Sequence, residues 1–176
     1  MPFDGLCKPR LHCTLCHTNG HRGARMVNEI EELLDANTSI EWLILADAAE
    51  VVGGKLYLLG GGWDRLTVHS QPAKKNLAVA LALRVPWHET NRQHAFHIDM
   101  TDEDGAQIVS VNGVSEVGRP AGLPPGQPQL VQLVVNFDAT FEKLGAYVIT
   151  ARVNDSQERS VRFNIVPGSG VSRQGT

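Results

Sequence analysis

The residues best suited to chemistry lie in two places. The first is Cys13-Thr14-Leu15-Cys16-His17, with Cys7 a few residues upstream. A Cys-x-x-Cys-His run is the pattern that attaches c-type haem through two thioethers, with the histidine as axial ligand. That use needs an oxidising compartment, and the N-terminus lacks the basic-then-apolar order of a secretory signal. Zinc is the other reading. Cys7, Cys13 and Cys16 with His17 or His21 would supply three thiolates and an imidazole, but Cys7 stands alone, without the partner a knuckle requires. A metal is therefore not expected here, and no cofactor is expected anywhere in the chain.

The second place is Trp87-His88-Glu89-Thr90-Asn91-Arg92-Gln93-His94, the densest polar cluster in the sequence. His88, Glu89 and His94 could ligate a metal or exchange protons, with Asn91 and Arg92 as binding groups and Trp87 as a wall. No nucleophile accompanies them. Leu59-Gly60-Gly61-Gly62-Trp63-Asp64 is the remaining candidate. Three glycines could cradle a phosphate, but phosphate loops open into a helix, and here Leu66-Thr67-Val68 continues as extended chain. The glycines read instead as a bulge or bend, with Trp63 plugging one end of the fold. An enzyme would need this bend and the 86–94 loop to line one pocket, with Trp63 and Asp64 facing the loop. Asp47, inside the apolar run 43–52, reads as a hydrogen-bonded edge or turn position.

The elements that must hold these residues are strands. Residues 43–52 are almost continuously apolar, and 55–59 follow after Gly53-Gly54, a two-residue hairpin signal. In 77–85, Leu77, Val79, Leu81, Leu83 and Val85 alternate with smaller or polar residues, and the same period of two recurs in 96–100, 106–112, 129–137, 146–153 and 159–166. Pro120, Pro124, Pro125 and Pro128 rule out a ladder strand over 116–128, which reads as a crossing between sheets. The expected fold is all-β, an immunoglobulin-like antiparallel sandwich of seven to nine strands. Leu144-Gly145-Ala146-Tyr147 has the form of a tyrosine corner, in which the phenol bonds backbone a few residues upstream.

The motifs Gly60-Gly61-Gly62-Trp63-Asp64 and Val85-Pro86-Trp87 through His94, followed by the turn Asp102-Glu103-Asp104-Gly105, resemble a family of uncharacterised bacterial proteins. The resemblance covers roughly 42–166. It implies a domain of unknown function and transfers no catalytic residues.

Organisation follows from composition. Apolar residues make up 42 % and charged residues 20 % of 176, as in an ordinary globular chain. The net charge of −3 divides into +3 over residues 1–25 and −6 over the rest, which offers no electrostatic footprint for nucleic acid or an anionic membrane. Residues 1–25 are expected to be a disordered or non-native extension, with Met26 the true initiator. Residues 26–41 form a helical lead-in, in which Ile30, Leu33 and Leu34 share one face of a helix at 28–36. The sandwich occupies 42–166, and 167–176 is a disordered tail. With no cysteine beyond Cys16, the chain suits the cytoplasm.

One surface feature stands out. Ala78, Ala80 and Ala82 line the outward side of the 77–85 strand, where a solvated sheet would carry polar residues. Such a face invites a cover, either the 28–36 helix or a second protomer. The functional expectation is thus a non-catalytic binding or structural module acting through an end loop or the alanine face, with the two-segment enzyme as the alternative.

Overall fold

Alternation of side chains along extended backbone sends every second residue to the same face. The computed structural model, which describes residues 37–154 and 157–169, shows where those faces go. Among the described residues the strands are β1 (Ser39–Ala46), β2 (Ala48–Val52), β3 (Lys55–Leu59), β4 (Arg65–Val68), β5 (Ala73–Val85), β6 (Gln93–Asp102), β7 (Gln107–Glu116), β8 (Gln129–Phe141), β9 (Gly145–Val153) and β10 (Gln157–Pro167). β1, β5 and β8 form one antiparallel sheet in that order, and a second runs β4-β10-β9-β6-β7. Only β4 against β10 is parallel in that second sheet. β2 and β3 make a separate two-stranded ribbon.

The inward faces of the two larger sheets share one core. Leu45, Leu77, Leu81 and Leu83 of the first meet Ile98, Met100, Tyr147, Ile149, Phe163 and Ile165 of the second, all at most 2 % exposed. Burying each such side chain contributes roughly 1.5–3 kcal/mol, so this seam is the main stabilising feature. The proline-rich segment carries the chain from β7 in one sheet to β8 in the other, as its composition predicts. It does so through turns closed by Leu123 N–H to Pro120 O and Gln127 N–H to Pro124 O.

The run 43–52 is not one strand. The chain breaks at Asp47, whose N–H bonds the carbonyls of Leu59 and Gly60, and β2 then departs to pair with β3 through the Gly53-Gly54 turn. Both turn glycines have positive φ, 57° and 74°, the geometry that a tight two-residue hairpin demands. An uninterrupted apolar run cannot distinguish one long strand from two strands meeting at a corner, because it lacks the period-two alternation that would mark which face of each is buried.

That corner supplies a cover for the alanine face. Ala78 and Ala80 are fully buried beneath Ala49 and Leu56 of the ribbon, with Ala46, Trp42 and Val134 alongside. The side chain of Asn136 in β8 fastens the ribbon down, donating to Ala49 O at 3.1 Å and accepting from Ala49 N–H at 3.5 Å. Ala78, Ala80 and Ala82 all have 0 % exposure, so this face is not an open surface for a partner. Small side chains suit it because a β-ribbon lies closer to a sheet than long side chains would permit. The expected helix at 28–36 and the expected extension at 1–25 lie outside the described residues, but the end of the expected helical lead-in at 26–41 is strand, since β1 begins at Ser39 and pairs with β5 there. The last strand runs one residue further than expected, since Pro167 pairs with Val68.

Candidate functional site

The 86–94 loop begins where β5 ends. Pro86 fixes an extended entry, Trp87–Glu89 make one turn of 3-10 helix, and Thr90 closes it by donating its hydroxyl to Trp87 O at 2.7 Å. Arg119, from the proline-rich crossing, then spans the turn. Its Nε donates to Thr90 Oγ1 at 2.6 Å, a terminal nitrogen donates to Trp87 O at 3.2 Å, and its guanidinium lies 4.5 Å from the Trp87 ring centre. A cation over an aromatic face is attractive, and together these contacts tie the crossing to the loop.

The acid and the buried histidine are equally committed. The Glu89 carboxylate accepts from Thr38 N–H at 2.7 Å and from the Thr38 hydroxyl. Burial alone would raise this carboxyl, but the Thr38 hydrogen bonds outweigh it and hold it below the usual value. His94 is 1 % exposed. Asn154 exchanges hydrogen bonds with the Ala95 backbone, N–H to O at 2.9 Å and Oδ1 from N–H at 3.1 Å, which sets its amide orientation. Its Nδ2 therefore donates to His94 Nδ1 at 3.1 Å, leaving Nε2–H to donate to Glu89 O at 3.0 Å. Both ring nitrogens thus hold structure. His88, Asn91 and Arg92 face solvent, and Asn91 takes positive φ while its N–H bonds Val117 O.

A cavity of about 590 Å³ opens beside Trp87 and His88, walled by Asn37, Ser39, Arg84, Pro86, Gly126 and Pro128. Arg84 grips Glu41 through two hydrogen bonds of 2.6 and 2.9 Å, and this contact holds the Glu41 carboxyl below its usual value. Trp87 and His88 line the cavity, whereas Glu89, Asn91, Arg92 and His94 do not.

The Gly60–Asp64 bend lies elsewhere. Gly62 N–H bonds Leu45 O, Asp64 O accepts from Asn164 N–H, and the Trp63 ring meets Phe163 edge-on at 5.5 Å. Trp63 Nε1 also donates to Asp47 Oδ1 at 3.1 Å. Gly60 has a φ of 60°, and a Cβ there would sit 2.2 Å from Asp47 Oδ2, so the glycine makes room for that carboxylate. The register of β1 on β5 separates the two segments: Ala46, beside the bend, pairs with Ala78, while Ser39 pairs with Arg84 just before the loop. Six residues of strand amount to about 20 Å. The bend and the loop therefore occupy opposite ends of the sheet and cannot line one pocket, and the two-segment enzyme loses its geometry.

Among the described residues no three histidine, cysteine or acidic side chains gather as a metal set. Cys7, Cys13, Cys16 and His17 lie outside the described residues. No helix among them is long and apolar enough to cross a membrane.

The most unusual surface was missed in the sequence. Of the seven large apolar side chains exposed among the described residues, five are on the β2–β3 ribbon: Val51, Val52, Tyr57, Leu58 and Leu59, the last 70 % exposed. A shallow hollow of about 280 Å³ runs between Ala48–Glu50 and Tyr57–Leu59. The signal that could have exposed it is the absence of alternation in Leu56-Tyr57-Leu58-Leu59, since a ribbon with one solvated face should show a polar residue at every second place.

These features define an all-β chain with several antiparallel sheets. The model of a family of unknown function, DUF6941, matches residues 41–166, and the chain belongs to that family. No curated protein matches it. Among solved structures it is similar to a β-glucuronidase from glycoside hydrolase family 2, at 15 % identity and a TM-score of 0.38 over 73 % of this chain. A β-glucosidase from Listeria innocua in complex with gluconolactone aligns at 6 % identity and 0.35 over 70 %. The chain spans only 11 % and 16 % of those two proteins. A structural-genomics target, SoR45, aligns at 13 % identity and 0.32 over 81 % of this chain and 96 % of that one. At such scores none of the three bears on fold or activity.

Proposed function

We propose that this chain is a non-catalytic interaction module of the cytoplasm, an immunoglobulin-like β-sandwich that presents the outer side of the β2–β3 ribbon to a protein partner. The clustering of Val52, Tyr57 and Leu59 on the outer side of one ribbon, with Val51 and Leu58 also exposed on its other side, carries the reading. Contiguous apolar patches of a few hundred Å² on a globular surface mark sites of association. The commitment of Glu89, Thr90 and His94 to structural hydrogen bonds speaks for a scaffold at the loop end rather than a reaction centre. The immunoglobulin-like assignment is supported by the hydroxyl of Tyr147, which donates to Lys143 O at 2.9 Å in the manner of a tyrosine corner. The cytoplasmic setting is supported by the placement of all three cysteines within the first 16 residues.

Site-specific photo-crosslinking in cells tests the reading. A photoreactive residue at Tyr57 or Leu59 should yield discrete protein adducts, and the same residue at Val114 or His88 should not. Val114 is an apt control because it is 61 % exposed and apolar but lies in β7. Equal labelling at all four positions, or labelling at His88 alone, refutes the proposal.

A further inference from the structure

The ribbon's register separates its side chains into two faces. Ala49 and Leu56 pack inward on the alanine row, so their cross-strand partners Leu58 and Val51 share that side. The rows Ala48/Leu59, Glu50/Tyr57 and Val52/Lys55 therefore face outward. That outer face holds three exposed apolar side chains, Val52 at 53 %, Tyr57 at 53 % and Leu59 at 70 %, together with one acid and one base. Glu50 and Lys55 sit diagonally across Tyr57 and Val52, and neither forms an ion pair among the described residues.

Resting on the reading of the ribbon as the interaction surface, we infer that its partner is a second copy of this chain, bound ribbon face to ribbon face about a two-fold axis. The charges select this occupant. A partner of one sign would meet either Glu50 or Lys55 with like charge, and like charges opposed in a contact are destabilising. The required surface carries one acid and one base in reversed order around an apolar centre, and the same face turned by a two-fold is such a surface. An isologous contact places residue i on j and j on i, so Glu50 of each copy meets Lys55 of the other while Tyr57 lies near Tyr57 of the second copy close to the axis. A net charge of only −3 per chain adds little repulsion at a distance. The ribbon has ten strand residues, and its outer face falls short of the roughly 800 Å² per partner of a stable complex, so the dimer is weak and concentration-dependent.

Sedimentation equilibrium of the full chain over a wide concentration range reads the outcome. The apparent mass should climb from 19.2 kDa towards twice that value. Glu50→Lys and Lys55→Glu should each lower the association constant about tenfold, because each turns two attractions into two repulsions. The double variant Glu50→Lys/Lys55→Glu should restore it to within about threefold, the rescue that pairing of 50 with 55 across the axis predicts. Leu59→Asp should abolish association, and thermal melts of all variants should coincide, since these side chains are exposed. A mass that stays at 19.2 kDa up to about 1 mM overturns the inference, as does a dimer indifferent to Leu59→Asp or a double variant no better than the singles. Adducts with some other protein at Tyr57 and Leu59, in a chain that remains monomeric, would overturn the second copy while leaving the ribbon as a binding surface. Absence of both dimer and adducts would remove both.

Discussion

At the scale of single residues, the contacts with measurable consequences are polar groups held in the interior. Tyr147 is 2 % exposed, with its ring stacked 5.7 Å from Phe163 and its hydroxyl on Lys143 O. Burial, the largest influence, pushes the phenol up from its usual value and keeps it a donor. Tyr147→Phe should therefore lower unfolding free energy by about 1 kcal/mol in a denaturant titration without changing the slope. This contact was legible in the sequence, because it is local, with donor and acceptor four positions apart. Glu89 was not legible as a structural group. Its partner Thr38 is 51 positions away, and a loop carboxylate looks the same in sequence whether it faces water or a buried hydroxyl. Its folded-state value is lowered from 4.5, so its stabilisation is fully present above about that pH and is lost as pH falls through the lower folded-state value. Glu89→Ala should cost about 1–3 kcal/mol at pH 7, where it leaves the buried Thr38 unpaired, and the gap from the parent should narrow steadily below pH 4.5. A gap independent of pH would deny the carboxylate this role.

Among the elements, the β2–β3 ribbon decides the most. Its hold on the sheet rests on two alanines and one amide, Ala78, Ala80 and Asn136. Ala80→Leu inserts three extra carbons where no space remains and should destabilise by about 1–3 kcal/mol. The loss should be local, with amide exchange accelerating in 48–59 well before the core strands. Asn136→Ala should have the same signature and a smaller effect, near 1 kcal/mol for the bonds to Ala49. Exchange that rises uniformly through β5, β6 and β9 would show that the ribbon is not a separate layer. The hairpin turn itself was evident from Gly53-Gly54. Its placement over the alanine row was not: Asp47 reads as a hydrogen-bonded edge or turn position, but that the chain turns there to lay β2 and β3 over the sheet shows only in the bonds of its N–H to Leu59 O and Gly60 O.

Across the whole molecule, stability concentrates where the two sheets meet. Phe163 touches Trp63, Phe141 and Tyr147, with ring centres 5.5 to 6.1 Å apart, and is fully buried. Phe163→Ala should cost about 3–5 kcal/mol and lower the melting temperature in a single transition, since both sheets lose the same contact. Two transitions would mean that the sheets unfold separately. Most strands from β5 onward, the proline-rich crossing and the all-β class followed from the sequence alone, because period-two patterning and proline geometry are properties of neighbouring residues. Which surfaces are closed and which are open was decided only by the tertiary structure. The alanine row, for which a cover by the 28–36 helix or a second protomer was expected, lies beneath the ribbon, and the apolar exposure moves to Val52, Tyr57 and Leu59 on the ribbon's far side. The polar loop that looked like chemistry is held by Thr38, Arg119 and Asn154, each distant in the chain. Burial and hydrogen-bond partnership depend on what lies across a gap in space, and pattern along the chain carries no record of it.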